Sequence, residues 1–236
     1  MSTIGASPSS LTVVIGAAGS IGSACVEEFK SRQPDTEVML LGRRSESNLD
    51  LLSEDSISNA AAKVAARKLP IAVVIVATGI LHNYLIRPEK TWRQANQDAL
   101  ELLFRVNAIG PMLVMKHFLP LLPKLEKSVF ACLSARVGSI ADNGLGGWYG
   151  YRASKAALNQ FVKTASIELS RTRPEAICMA IHPGTVATRL SEPFTKEGLN
   201  VLTPRDCAKR LYKLLNAADI RDNGGFFDYE KRRIPW

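Results

Sequence analysis

Short, nearly continuous apolar runs recur along the chain at Leu11–Ile15, Glu37–Leu41, Ile71–Val76, Val129–Leu133 and Ala176–Ile181. Runs of this length, rich in β-branched residues and bounded by small residues, predict strands. Their lack of polar alternation predicts burial on both faces, as in a parallel sheet. The intervening sequence has helical character: after the first run to about Lys30, from Asp55 to Lys68, from about Gln94 to Leu119, from Tyr151 to about Arg171, and from Pro204 to about Leu215. Gly224–Tyr229 reads as an edge strand. Strands alternating with helices, with no internal repeat, predict an α/β fold: a doubly wound parallel sheet with helices on both faces. Residues 1–10 read as a loose tail and 11–236 as one domain. The polar, turn-prone residues from Glu192 to Val201 place a mobile lid over a substrate within 190–203.

Right-handed crossovers bring the C-terminal ends of all these strands to one edge. The first strand breaks there into Gly16-Ala17-Ala18-Gly19-Ser20-Ile21-Gly22 before a helix. A strand, a glycine-rich turn and a helix N-terminus make a phosphate cradle, because small residues let the backbone approach and the helix end attracts negative charge. Ser20 is placed to cap that helix. The second strand ends in Gly42-Arg43-Arg44-Ser45, a tip with no acid. In a dinucleotide-binding unit an acid at this tip takes a ribose 2′-hydroxyl and an arginine a 2′-phosphate. Arg43, with Arg44 and Ser45 behind it, therefore implies NADP(H) in preference to NAD(H). Too few residues follow Arg44 for a normal crossover helix. Asp50 and the Leu51 backbone are placed to read an adenine, although Asp50 equally suits a turn. Ala77-Thr78-Gly79 closes the central strand with a second small-residue turn.

Tyr151 and Lys155 lie one helical turn apart on one face. An ammonium there is expected to lower the phenol pKa, placing a tuned general acid for proton transfer to oxygen. Asn107 sits in an otherwise apolar helix face, four residues before Pro111. Proline has no N–H, so the Asn107 carbonyl loses its helical partner, and a kink there can hold a water. His82, Tyr84, Arg136, Trp148 and residues 190–201 are the expected pocket walls.

Composition changes little in this picture. At 236 residues with 46% hydrophobic content the chain supports a sizeable core. No run approaches the ~18 apolar residues of a membrane span, and Met1–Ser10 has no basic-then-apolar signal, which points to a cytoplasmic protein without a membrane partner. The net charge of +8 comes from dispersed residues with no aromatic-interleaved basic tract. It suits a solvated surface and anionic small molecules better than nucleic acid. Cys25, Cys132, Cys178 and Cys207 have no CxxC spacing and no histidine set for a metal, so no metal site is expected.

The set resembles the short-chain dehydrogenase/reductase family over essentially the full length, and with it the Rossmann fold. The glycine motif at Gly16–Gly22 (with Ala18, Ser20 and Ile21), Ala77-Thr78-Gly79, Asn107, Tyr151-xxx-Lys155 and Pro183-Gly184-Thr185-Val186-Ala187-Thr188 carry the resemblance. It implies cofactor contacts from Pro183, Gly184, Val186 and Thr188, and from Tyr151 and Lys155. It also implies catalytic roles for Tyr151, Lys155 and Asn107. The short second crossover, Gly138-Ser139-Ile140 and Phe226-Phe227-Asp228 look most like the C-factor-like and sniffer-type carbonyl reductase branch. One departure stands out. The family serine three residues before Gly138 is here Ala135, so Ser134, or alternatively Ser139, is the candidate to orient a carbonyl. The implied activity is NADPH-dependent hydride transfer between nicotinamide and a small carbonyl or alcohol. The alternative is a C-factor-like regulatory protein that binds cofactor with little turnover. Family analogy also implies a homodimer or homotetramer through the helices around 94–119 and 151–171.

Overall fold

The computed structural model describes residues 10–45, 47–194 and 200–236. The apolar runs form β1 (Leu11–Ile15), β2 (Glu37–Gly42), β4 (Ile71–Val76), β5 (Ser128–Leu133) and β6 (Ala176–His182). With the short β3 (Ser47–Asn48) and β9 (Phe226–Asp228) they build a seven-stranded parallel sheet in the order β3-β2-β1-β4-β5-β6-β9. The chain winds outward from β1 to β3, then returns to β4 on the other side. The crevice between the C-terminal ends of β1 and β4 is therefore a topological switch point, where open α/β sheets bind ligands.

Strand alternation sorts the core into two layers. Leu11, Val13 and Ile15 face α2 (Glu54–Ala65), α4 (Gly110–Phe118) and α5 (Tyr149–Thr172). Val14, Ile75, Ala131 and Met179 face α1 (Ser20–Arg32) and α6 (Pro204–Asn216). The 97–121 stretch is long and apolar enough to cross a membrane by composition. In this molecule its Leu103, Val114, Met115 and Phe118 are buried.

Several expectations are corrected here. The helix expected from Gln94 starts at Gln97, because the Asn96 side chain accepts the Ala99 N–H and caps it. Trp92–Gln94 is a separate 3-10 turn. In place of a simple kink, α3 (Gln97–Phe104) and α4 are joined by a π-helical segment, Arg105–Ile109, in which the Gly110 N–H reaches back to the Arg105 carbonyl. Ser20 is not a cap: Gly19 is the N-cap of α1, and no side chain bonds there. The truncated crossover after Arg44 contains β3. The tail (residues 1–9 of it) and residues 195–199 of the expected lid lie outside the described residues. The rest of the lid region holds a 3-10 turn, Glu192–Phe194, and β8 (Val201–Leu202), which pairs with β7 (Thr185–Val186).

Gly22 shows how tightly the first turn is drawn. A Cβ there would stand 2.3 Å from the Gly16 carbonyl oxygen, on backbone that cannot yield. Gly22→Ala is expected to destabilise the fold by about 2–4 kcal/mol, read as a fall in the urea unfolding midpoint with an unchanged slope.

Candidate active site

At the C-terminal edge of the sheet the first βα turn folds under β4. The Gly16 and Ala17 amides approach the Leu41 carbonyl, and the Ala77 N–H bonds to Ile15 O at 2.8 Å. Gly16 adopts φ +88°, and a Cβ on it would meet Thr78 Cγ2 at 2.9 Å. The first turn of α1 carries no acidic residue and no side-chain cap, so its N–H groups face the crevice with the positive end of the helix. Beside them the Thr78 hydroxyl is buried with no hydrogen-bond partner among the described residues. An orphaned donor, a cradle with no room for a Cβ and a helix N-terminus together fit a nicotinamide dinucleotide. Arg43 and Arg44 are exposed at the tip of β2, with no ion-pair partner among the described residues. Asp50 is half-buried and accepts the Leu52 N–H at 3.1 Å in its own turn, while its N–H bonds to Ser56 Oγ. Leu51 packs towards Gly110. Beyond β6, Gly184 has φ +86°, and a Cβ would strike the Tyr229 ring at 2.7 Å. Val186 is buried, and the Thr188 N–H bonds to Ser191 Oγ at 3.2 Å.

Asn107 joins three elements. Its Oδ1 accepts the Ile80 N–H at 2.8 Å, and its Nδ2 donates to the Ile80 carbonyl at 2.8 Å and to Ser154 Oγ at 3.1 Å. Ser154 in turn donates to the Tyr151 carbonyl at 2.9 Å. A Cβ on Gly79 would lie 3.4 Å from both Asn107 Oδ1 and Lys155 Nζ, so the three residues converge. Lys155 is 3% exposed and donates to Leu133 O at 2.9 Å. Gly138 lets the Arg136–Gly138 turn pack onto Lys155, since a Cβ there would stand 2.8 Å from Lys155 Cβ.

The expected depression of the Tyr151 pKa is not found. Burial pushes the phenol well above its ordinary value. Burial also pulls Lys155 down to about 8. Lys155 Nζ stands 6.0 Å from the Tyr151 ring centroid and is bonded to Leu133, so desolvation of the phenolate outweighs attraction to the cation.

The two candidate serines turn elsewhere. Phe130, Cys132 and Ser134 follow one face of β5, and Ser134 Oγ donates to Asn159 Oδ1 at 2.6 Å, two turns along α5 from Tyr151. Ser139 Oγ accepts the Asp142 N–H at 3.1 Å and faces the Trp236 carbonyl. Ala135 is buried in one cluster with Tyr151, Leu81, Ile86 and Leu103. Of the expected walls, Trp148 lies edge-on to Tyr151 and Phe194, with centroids 6.2 and 5.0 Å away, and His82 lies edge-on to Phe194 at 5.4 Å. Arg136 is held by Asp142 and Asp228. Tyr84 is 93% exposed: Asn83 Oδ1 accepts the Leu85 and Ile86 N–H groups in a turn that swings it outward. Sequence reading passed over Ser154, Asn159, Glu89 and Arg152. A polar residue on the buried face of α5 is a signal for the first two; Arg152 bonds the Gly146 and Gly147 carbonyls just before its own helix and the Val137 carbonyl, while Glu89 reaches a partner 61 residues away.

The family profile described as short chain dehydrogenase matches residues 46–198. The chain belongs to this family. It is an NAD(P)-dependent dehydrogenase/reductase, and its Rossmann sheet is the family fold. The C-signal protein of Myxococcus xanthus is 35% identical over 134 residues, 56% of this chain and 76% of that one. The NADPH-bound carbonyl reductase from chicken fatty liver superposes with a TM-score of 0.81 at 24% identity, covering 95% of this chain and 98% of that one. A short-chain dehydrogenase/reductase from Burkholderia multivorans with bound NADP gives 0.80 at 25% identity, covering 97% and 100%.

Lys155 sets a stability test. Its pKa falls from 10.5 to about 8 on folding, so the unfolded chain holds more protons between those values. The cost is full below about pH 8 and disappears above 10.5, so this group makes stability rise through that window. Lys155→Met is expected to stabilise the protein by about 1–3 kcal/mol at neutral pH, and the difference in urea unfolding should close as the pH passes 10.5.

Proposed function

We propose that the protein is an NADPH-dependent reductase of small carbonyl compounds, or the corresponding alcohol dehydrogenase, with Tyr151 as general acid and base. The observation that carries this reading is the enclosed Tyr151 phenol beside Lys155 and Asn107 at the switch-point edge. A bound nicotinamide supplies the hydride. Gly16, Ala18, Ser20, Ile21, Gly22 and the α1 N-terminus would hold its pyrophosphate. Thr78 and Gly79 would lie along its ribose, and Val186 and Thr188 against its amide-bearing ring. Arg43 would take the 2′-phosphate, with Arg44 beside it, and Asp50 and Leu51 would flank the adenine.

Tyr151 gives its proton to the oxygen of the carbonyl as negative charge develops there. The phenol is protonated at neutral pH, so the acid is loaded for this direction; burial alone makes it a weaker donor, and charge developing on the substrate oxygen is what draws the proton across. Lys155, still largely charged at pH 7, would hold the nicotinamide ribose. The Asn107 side chain is already committed to Ile80 and Ser154, so its main-chain carbonyl is the group left to hold a water. Pro111 has no N–H to offer that carbonyl. Ala135 presents a methyl to the carbonyl position, so the apolar walls and Tyr151 itself set the substrate's orientation.

A second reading is favoured by that same methyl and by the C-signal relative: a regulatory protein that binds the cofactor and turns over little. Absorbance of the reduced cofactor with a panel of aldehydes, quinones and diketones separates the two.

Tyr151→Phe is expected to lower kcat by about 100-fold or more with NADPH affinity nearly intact; unchanged turnover refutes the assignment. Arg43→Ala is expected to raise KM for NADPH by about tenfold and to leave KM for NADH unchanged. Equal effects on both would remove Arg43 from the cofactor site.

A further inference from the structure

Among the described residues three carboxylates are buried: Glu89, Asp222 and Asp228. Asp222 pairs with Lys231 at 2.8 Å, and Asp228 with Arg232 at 2.8 Å. Glu89, 4% exposed in the loop between β4 and α3, has no cation against it among the described residues. Its partners are backbone amides. Both carboxylate oxygens accept the Gly150 N–H, at 3.2 and 3.3 Å, and its main-chain carbonyl accepts the Trp148 N–H at 2.5 Å.

Those amides belong to the start of α5, the helix of Tyr151 and Lys155. The N-cap position is Trp148, left-handed at φ +55° after two left-handed glycines, and its side chain makes no cap. The first-turn N–H groups of a helix have no partner within it. Glu89 supplies one from 61 residues away in sequence. The slot it enters is narrow around residue 150, a glycine. A Cβ there would lie 2.7 Å from Leu103 Cδ1, 2.8 Å from Leu100 Cδ2 and 3.0 Å from Glu89 Oε1. A carboxylate at this end also meets the positive end of a 24-residue helix. The same loop is pinned at its other end, where Asn107 takes both polar groups of the Ile80 backbone.

We propose that Glu89 is a positioning residue for Tyr151. It caps the catalytic helix from outside and holds the turn that carries the phenol, one residue beyond Gly150. The catalytic part of this proposal rests on the reductase reading above; the cap does not. Glu89 touches none of the groups assigned to the cofactor, so its loss should reach kcat without reaching cofactor affinity.

The test uses the full-length protein with Glu89→Ala, Glu89→Asp and Glu89→Gln. The aspartate keeps the charge but falls short of Gly150, and the glutamine keeps an acceptor oxygen in place. Expected for alanine and aspartate is a fall in kcat of about ten- to hundredfold, with the NADPH dissociation constant within about twofold and glutamine restoring most of the rate. Wild-type kcat in the alanine or aspartate variant overturns the proposal. So does a parallel loss of kcat and NADPH binding, which marks a merely structural role. If the alanine variant does not fold, the aspartate and glutamine pair decides. Hydrogen exchange at the Gly150 amide, read without substrate, should accelerate about tenfold or more in alanine and aspartate and stay near wild type in glutamine. Unchanged exchange overturns the cap itself. Exchange as expected in a wild type that reduces no carbonyl overturns the reductase reading instead, and the catalytic role of Glu89 with it.

Discussion

The site depends on one buried amide. Asn107, fully enclosed, takes the N–H and C=O of Ile80 and the hydroxyl of Ser154. It thereby ties the exit of the central strand to the helix of Tyr151. The Ser154 bond is fully buried and the two Ile80 bonds partly so, and leaving a buried group unpaired costs about 1–3 kcal/mol. An aliphatic side chain in its place would leave several unpaired at once. The π-helical segment follows from the same demand. One extra residue in the turn before Pro111 lets the helix that began with an apolar stripe present Asn107 inward and then resume as α4.

Around that tie, desolvation sets the electrostatics. A tyrosine and a lysine one turn apart suggest a cation that lowers a phenol's pKa. Enclosed together they shift the other way: the phenol rises and the ammonium falls, because burial penalises whichever form is charged. The outcome is an acid that stays loaded and a cation close to losing its proton. Among the described residues no serine joins the Tyr151 cluster: Ala135 lies in it, while Ser134 spends its hydroxyl on Asn159.

Much of the fold was legible in the chain. The apolar runs at 11–15, 71–76, 129–133 and 176–181 are strands within a residue or so, because parallel strands buried on both faces leave no other pattern. The parallel order and the edge where the loops gather follow from crossover handedness. Less legible were boundaries set by single polar contacts: the Asn96 cap that delays α3, the Asn83 turn that throws Tyr84 into solvent, and the Gly19 start of α1.

By itself, then, the sequence determined the layered α/β sheet, the glycine cradle under its switch point and the Tyr151–Lys155 spacing. These rest on periodicity and on local backbone freedom, which neighbouring residues fully encode. Only the tertiary structure decided which way the Tyr151 and Lys155 pKa values move, that Ala135 shares the buried cluster of Tyr151 while Ser134 bonds Asn159, and that Glu89 closes the first turn of α5. Those outcomes depend on burial and on partners from 25 to 61 residues away. No local pattern carries information about either.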